Sequence, residues 1–128
     1  MTAARIMLVD DDADLTAVLS VLLTFEGYLT SSSANEEEAF NLITHQPPDL
    51  LVLDLQLDDP DGGLRLLRRL QLHRSTMRLP VLICSGDQFW LDRLHRLTAT
   101  PQYAYLRKPF LIEELLAQID ELLARNRH

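Results

Sequence analysis

The sequence predicts a doubly wound α/β fold in which a five-stranded parallel sheet alternates with five helices. Three observations lead there. Short apolar runs recur along the chain, and most lack the apolar–polar alternation of a half-exposed strand. Each run is followed by a segment whose apolar residues return at helical spacing. Polar residues with chemical potential, Asp10-Asp11, Asp54, Ser85, Tyr105 and Lys108, stand at or near the downstream ends of those runs. Open parallel sheets bind ligands beyond the carboxyl ends of their strands.

The elements follow in order. Ile6-Met7-Leu8-Val9 is the first strand, and Leu15, Val18, Leu19, Leu22 and Leu23 form the apolar stripe of a helix that Gly27 stops. A weaker strand spans 28–32. Ser33-Ala34-Asn35-Glu36 then has the spacing of a capping box, Ala39, Phe40 and Ile43 line the second helix, and Pro47-Pro48 ends it. Leu50-Leu51-Val52-Leu53 runs into Asp54, and a helix beginning near Gly63 carries Leu64, Leu67 and Leu70. Residues 80–84 form the fourth strand, 89–97 the fourth helix and 104–106 the fifth strand. Leu115, Leu116, Ile119, Leu122 and Leu123 mark the inward face of the last helix.

For five βα units with right-handed crossovers, the order 2-1-3-4-5 of flavodoxin-like three-layer sandwiches places the switch point between the first and third strands. Those strands end in Asp10-Asp11 and Asp54. Asp10, Asp11, Asp12 and Asp14 form one acidic cluster and Asp54, Asp58, Asp59 and Asp61 another. Like charges brought together cost energy unless a cation or proton intervenes. Either the clusters lie apart on the surface, or they meet at the switch point around a metal. Three carboxylates without histidine or cysteine suit a hard cation such as Mg²⁺, which commonly takes one or two carboxylates plus phosphate oxygens.

Composition bounds the rest. A chain of 128 residues, 47% of them apolar, suits a single domain over 1–128. The net charge of −7 argues against direct nucleic-acid binding. Cys84 lies inside an apolar run and reads as a buried structural thiol. His45, His73, His95 and His128 have no metal-ligand spacing and read as surface residues. No apolar stretch approaches the length needed to span a membrane, and the start of the chain has no signal-peptide pattern, so a cytoplasmic location is expected.

Val9-Asp10-Asp11, Leu53-Asp54-Leu55, Asp61-Gly62, Ser85-Gly86 and Tyr105-Leu106-Arg107-Lys108-Pro109-Phe110 together resemble the motif series of two-component response regulator receiver (CheY-like) domains, in order and over nearly the whole chain. The resemblance implies that Asp54 accepts a phosphoryl group from a phosphohistidine on a sensor histidine kinase or phosphotransfer protein. It implies that Asp10, Asp11, Asp54 and the backbone carbonyl of Gln56 hold Mg²⁺, with Lys108 offsetting phosphoryl charge. Ser85 would donate its hydroxyl to the phosphoryl group and Tyr105 would rotate inward as the switch, with Gly86 allowing close backbone approach. Gln56 and Asp87 would tune attack by water, and a cis peptide would precede Pro109.

Plainer roles stand beside these: Asp11 or Asp12 as a cap of the first helix, Ser85 as a cap of the fourth, Lys108 as a partner of a surface carboxylate. The chain also departs from the family. Asp58 stands where a proline is frequent, Gly63 lengthens the turn, and Thr98-Ala99-Thr100-Pro101-Gln102 replaces a small Ala/Gly-rich turn. The extra acids Asp58 and Asp59 could alter metal affinity.

On the fourth helix, Leu94, Leu97 and one aromatic are expected to pack inward. Phe89, Trp90 and Leu91 cannot all face one way, so at least one lines a surface for a downstream protein, an effector domain or a second copy, on the face made by the fourth helix, fifth strand and fifth helix. Arg65, Arg68, Arg69, Arg74 and Arg78 read as a solvated helix face. No DNA-binding element follows the last helix, which leaves a stand-alone receiver or part of a longer chain. Two other functions fit the same residues: a phosphorylation-independent interaction module, and an aspartyl-phosphate-forming hydrolase. The hydrolase is disfavoured because Asp54-Leu55-Gln56 lacks a second carboxylate for acid/base turnover.

Overall fold

The apolar runs assemble into one parallel sheet. In a computed structural model describing residues 3–98 and 100–126, with Leu97 described by its backbone alone, strands β1 (Arg5–Val9), β2 (Leu29–Ser33), β3 (Leu50–Asp54), β4 (Val81–Ser85) and β5 (Tyr103–Arg107) lie in the order β2-β1-β3-β4-β5. Helices α1 (Ala13–Phe25), α2 (Glu36–His45), α3 (Gly62–Leu72), α4 (Gln88–Leu97) and α5 (Ile112–Arg125) fill the crossovers. The predicted fold class and strand order are the observed ones. No helix among the described residues is long and apolar enough to cross a membrane.

Strand periodicity divides the core into two layers. Met7, Val9, Leu51, Leu53, Val81 and Ile83 point to one side and pack with α2, α3 and α4 through Ala39, Ile43, Leu66, Leu70, Leu91 and Leu94. Ile6, Leu8, Leu50, Val52, Leu82 and Cys84 point to the other and pack with α1 and α5 through Leu19, Leu23, Leu115, Ile119 and Leu122. Successive side chains of a strand alternate faces, so a strand covered on both sides must be apolar throughout. That is why β3 and β4 are buried at every position. The Leu-Thr-Ser-Ser-Ser sequence of β2 is tolerated because β2 is an edge strand.

The helix ends differ from expectation in instructive ways. Ser33 does not cap α2. It pairs with Val9 as the last residue of β2, and the cap passes to Asn35, whose side chain accepts the Glu38 N–H at 2.8 Å. Asp12 caps α1 by accepting the Leu15 N–H at 3.1 Å. Gly27, at φ +93°, follows the α1 C-cap in the left-handed region, where a side chain would be strained.

The helical stripes also need adjustment. Val18 is exposed, because it lies about 100° around the helix from Leu19, away from the sheet. On α3 the buried set includes Leu66, while Leu64 is only half-buried. On α4, Leu91 and Leu94 are buried, whereas Phe89 and Trp90 are 61% and 39% exposed, so neither aromatic is a core residue. The Leu97 side chain, expected inward, lies outside the described residues, as do Ala99 and His128. His73 is a correction to the surface assignment: it is half-buried, with its ring edge-on to Phe40 at 5.7 Å, because the α3 exit folds back onto α2. Cys84 is buried as expected, and burial pushes its thiol up to about 12.

Candidate functional site

Neighbouring strands end level with one another, and this brings the separated polar residues together. Asp10 follows β1, Asp54 ends β3, Ser85 ends β4 and Lys108 follows β5. Asp10 and Asp54 are buried, 8% and 7% exposed, yet neither carboxylate lacks partners. Asp10 Oδ1 accepts the Asp12 N–H at 2.9 Å and Asp54 Oδ1 accepts the Gln56 N–H at 3.1 Å. Their remaining oxygens converge on one ammonium: Lys108 Nζ lies 2.5 Å from Asp10 Oδ2 and 3.2 Å from Asp54 Oδ2.

The backbone delivers this lysine. The Lys108 N–H donates to the Ser85 carbonyl at 2.9 Å, and the Lys108–Pro109 peptide is cis, as expected. The Ser85 hydroxyl is fully buried and accepts the Asp87 N–H at 3.0 Å.

Burial dominates the electrostatics. It raises the Asp54 carboxyl above the usual carboxylate range, with the nearby Asp10 charge adding to the effect and the Gln56 N–H and Lys108 opposing it. Burial works against the Lys108 ammonium too, but the carboxylates of Asp10 and Asp54 outweigh it and hold the lysine above its ordinary value. The site thus keeps a cation between two buried acids.

A carboxylate oxygen from each of Asp10, Asp11 and Asp54 lies within 4.8 Å of the others. Opposite ligands of an octahedral Mg²⁺ are about 4 Å apart, so a small closure brings these hard oxygen donors into range. The donor set therefore fits such a cation. Of the second acidic cluster, Asp54 alone joins this group among the described residues, the same three carboxylates that the sequence singled out. Asp58, at φ +66°, turns the chain away and accepts the Glu36 N–H at 2.9 Å, and Asp59 pairs with Arg65 at 2.7 Å.

A sequence profile described as the response regulator receiver domain matches residues 6–120. The chain belongs to that family. Among curated relatives, the transcriptional regulatory protein TrcR of Mycobacterium tuberculosis is 36% identical over 97% of this chain and 47% of its own length. The virulence transcriptional regulatory protein PhoP of Salmonella typhimurium is 34% identical over 95% of this chain and 53% of its own. This receiver domain thus spans about half the length of these relatives. Both are transcriptional regulators by name, and the expectation of no direct nucleic-acid binding is not borne out.

Among solved structures, a response regulator from Chloroflexus aurantiacus superposes with TM-score 0.84 at 31% identity, over 96% of this chain and 99% of that one. A CheY-like receiver domain protein from Methanospirillum hungatei gives TM-score 0.84 at 27% identity, over 98% and 97%. The receiver domain is a phosphoacceptor signalling domain of two-component systems rather than a canonical enzyme.

Tyr105 sits half-buried on β5 against α4, away from the strand-end acids. Its hydroxyl shares a hydrogen bond with the Thr98 hydroxyl and donates to the Thr98 carbonyl at 3.1 Å, while the His95 ring stacks on it at 4.8 Å. Asp87 caps α4 by accepting the Phe89 N–H at 3.0 Å. Gly86 needs no special freedom, since a Cβ there would meet only the Lys108 carbonyl oxygen, at 4.0 Å.

The close approach belongs instead to Gly62 and Gly63 in the first turn of α3. A Cβ on Gly63 would lie 2.2 Å from the Asp54 carbonyl oxygen, and one on Gly62 only 1.6 Å from that of Leu57. The receiver domain's α3 can start against the backbone of its acidic strand end because both side chains are missing. The Gly-Gly doublet after an acidic turn was the available signal, read above only as a longer turn.

Proposed function

We propose that residues 1–128 act as one unit in which Asp54 is the phosphoacceptor. The observation that carries this reading is the single Lys108 ammonium shared by Asp10 and Asp54 at 2.5 and 3.2 Å. Asp54 presents a carboxylate oxygen held in place through the Gln56 N–H. An Asp54 oxygen forms the bond to phosphorus as the bond to the donor histidine nitrogen breaks, and the leaving imidazole takes up a proton.

Asp10, Asp11, Asp54 and the Gln56 carbonyl would hold Mg²⁺. When bound, that ion offsets negative charge on the phosphoryl oxygens. Lys108 is freed from its carboxylate partners to do the same from the other side. The Ser85 hydroxyl, now an acceptor from Asp87, rotates to donate to a phosphoryl oxygen. Tyr105 then exchanges its hold on Thr98 for an inward position, a shift between two packings biased by the new charge. Gln56 and Asp87 flank the site on the two loops and set access for attacking water.

The partner that supplies the phosphoryl group is a sensor histidine kinase or phosphotransfer protein in the cytoplasm. Output passes through the α4-β5-α5 face, where exposed Phe89 and Trp90 offer contacts to a second copy or an effector. The regulator names of the relatives support a transcriptional output for a longer protein carrying such a domain.

The test is incubation with Mg²⁺ and a small phosphodonor, read by intact mass for wild type and Asp54→Asn. One phosphoryl adduct on wild type and none on the variant is expected. A folded, metal-loaded wild type without an adduct overturns the assignment. Ultracentrifugation with and without a phosphoryl mimic checks the second-copy contact.

A further inference from the structure

Glu36, the first residue of α2, is tied to the opposite loop by backbone and side chain together. Its N–H donates to Asp58 Oδ2 at 2.9 Å. Its carboxylate, only 14% exposed, accepts Arg65 Nε at 2.9 Å on one oxygen and Arg69 Nη1 at 3.1 Å on the other. Arg65 also makes two bonds to Asp59, at 3.2 and 2.7 Å, and Arg69 grips Glu37 and lies 4.0 Å above the Phe40 ring.

Isolated surface ion pairs contribute little, but fork-shaped pairs joined in a network through a half-buried carboxylate have less freedom to lose. The network also holds Asp58, whose φ of +66° is unique among the described non-glycine residues. α2 and α3 already pack through Ala39, Ile43, Leu66 and Leu70, so their contact has other support. Within the loop between β3 and α3, Leu55 and Leu57 are anchored in the same core on either side of Gln56, whereas residues 58–61 beyond them are exposed and have no such packing.

We infer that Glu36 and Asp58 are positioning residues for the cation site, holding the β3–α3 loop so that the Gln56 backbone keeps its place beside Asp54. The inference rests on the metal reading given above. Ordering a loop residue costs backbone entropy, and a loop ordered beforehand spares the cation that cost. Asp58 and Asp59, the extra acids expected to alter metal affinity, do so through α2 and α3.

The experiment is Mg²⁺ titration by calorimetry, with thermal melting in EDTA alongside, for wild type, Asp58→Asn, Asp58→Gly and Glu36→Ala. Asparagine tolerates positive φ and keeps an acceptor oxygen, so Asp58→Asn is expected to retain the wild-type Kd within about twofold. Glycine relieves any strain but removes the acceptor. Asp58→Gly and Glu36→Ala are therefore expected to weaken Mg²⁺ binding roughly tenfold, the scale for residues that orient a metal's ligands, while melting within a few degrees of wild type. Wild-type affinity in both of these variants overturns the inference and leaves the metal reading standing. Equal weakening in the asparagine and glycine variants also overturns it, because charge rather than the hydrogen bond would then be responsible. A wild type that takes up no Mg²⁺ overturns the metal reading and this inference together.

Discussion

The Lys108 ammonium lies nearer to Asp10, at 2.5 Å, than to Asp54, at 3.2 Å. Asp54 is thus the less compensated of two buried acids, and burial raises its pKa. A raised carboxyl favours the protonated form in the folded state. Its stabilising contribution is complete below the ordinary pKa of about 3.9 and is lost as pH rises through the folded value. Asp54→Asn removes that loss without stranding Lys108, which keeps Asp10. At pH 7 without metal, the variant is expected to be more stable by about 1 kcal/mol, roughly 4 °C in Tm. Melting curves between pH 4 and 8 in EDTA should show the advantage growing with pH; a less stable variant at pH 7 contradicts the burial account.

Removing the cation has the opposite sign. Lys108→Met leaves Asp10 and Asp54 facing each other with no positive charge between them, and is expected to cost about 2 kcal/mol. Added Mg²⁺ should restore much of that loss, since the same carboxylates gain a new counter-ion. Urea unfolding in EDTA and in excess Mg²⁺ checks both halves.

Three glycines are expected to rank by what a methyl group would meet. Gly63→Ala drives a Cβ into the Asp54 carbonyl oxygen 2.2 Å away and should cost about 3 kcal/mol, with a lower yield of phosphoryl adduct. Gly27→Ala meets no atom but strains a φ of +93°, at about 1 kcal/mol. Gly86→Ala has room and should change stability by less than about 0.5 kcal/mol. Chemical denaturation of the set would reveal a different order if the α3 start could shift.

Cys84 is buried between β-sheet and helices, and burial pushes its thiol up to about 12. Alkylation of the native protein at pH 8 is expected to be slow enough to follow global unfolding, and fast in denaturant. Mass spectrometry of iodoacetamide time courses measures this. Rapid labelling of the folded protein would show that α1 and α5 open locally.

Much of the fold was legible because it depends on short-range pattern. The unbroken apolar runs at Leu50–Leu53 and Val81–Cys84 require cover on both faces, and a chain alternating such runs with helical stripes has few ways to provide it. The positions of Asp10, Asp54, Ser85 and Lys108 at strand ends follow from the same pattern. Less legible were the points where one element alters another. Ser33 has the right spacing to cap a helix, yet pairing with Val9 keeps it in β2 and moves the cap to Asn35. Asp58 and Asp59 look like neighbours of Asp54, yet a single positive φ turns them toward Glu36 and Arg65.

Pattern along the chain set the α/β class and the carboxylates and lysine available for chemistry, and it narrowed the strand order to a few, of which 2-1-3-4-5 is the one observed. These rest on hydrophobic period and local spacing, which act within a few residues. Tertiary structure alone decided which charge answers which: that Lys108 binds Asp10 more closely than Asp54, that Gly63 rather than Gly86 makes the close approach, and that Tyr105 rests on Thr98 beneath His95. Such contacts join residues far apart in the chain at distances of a few ångströms, where Coulomb and hydrogen-bond energies change steeply. Only the packed sheet sets those distances.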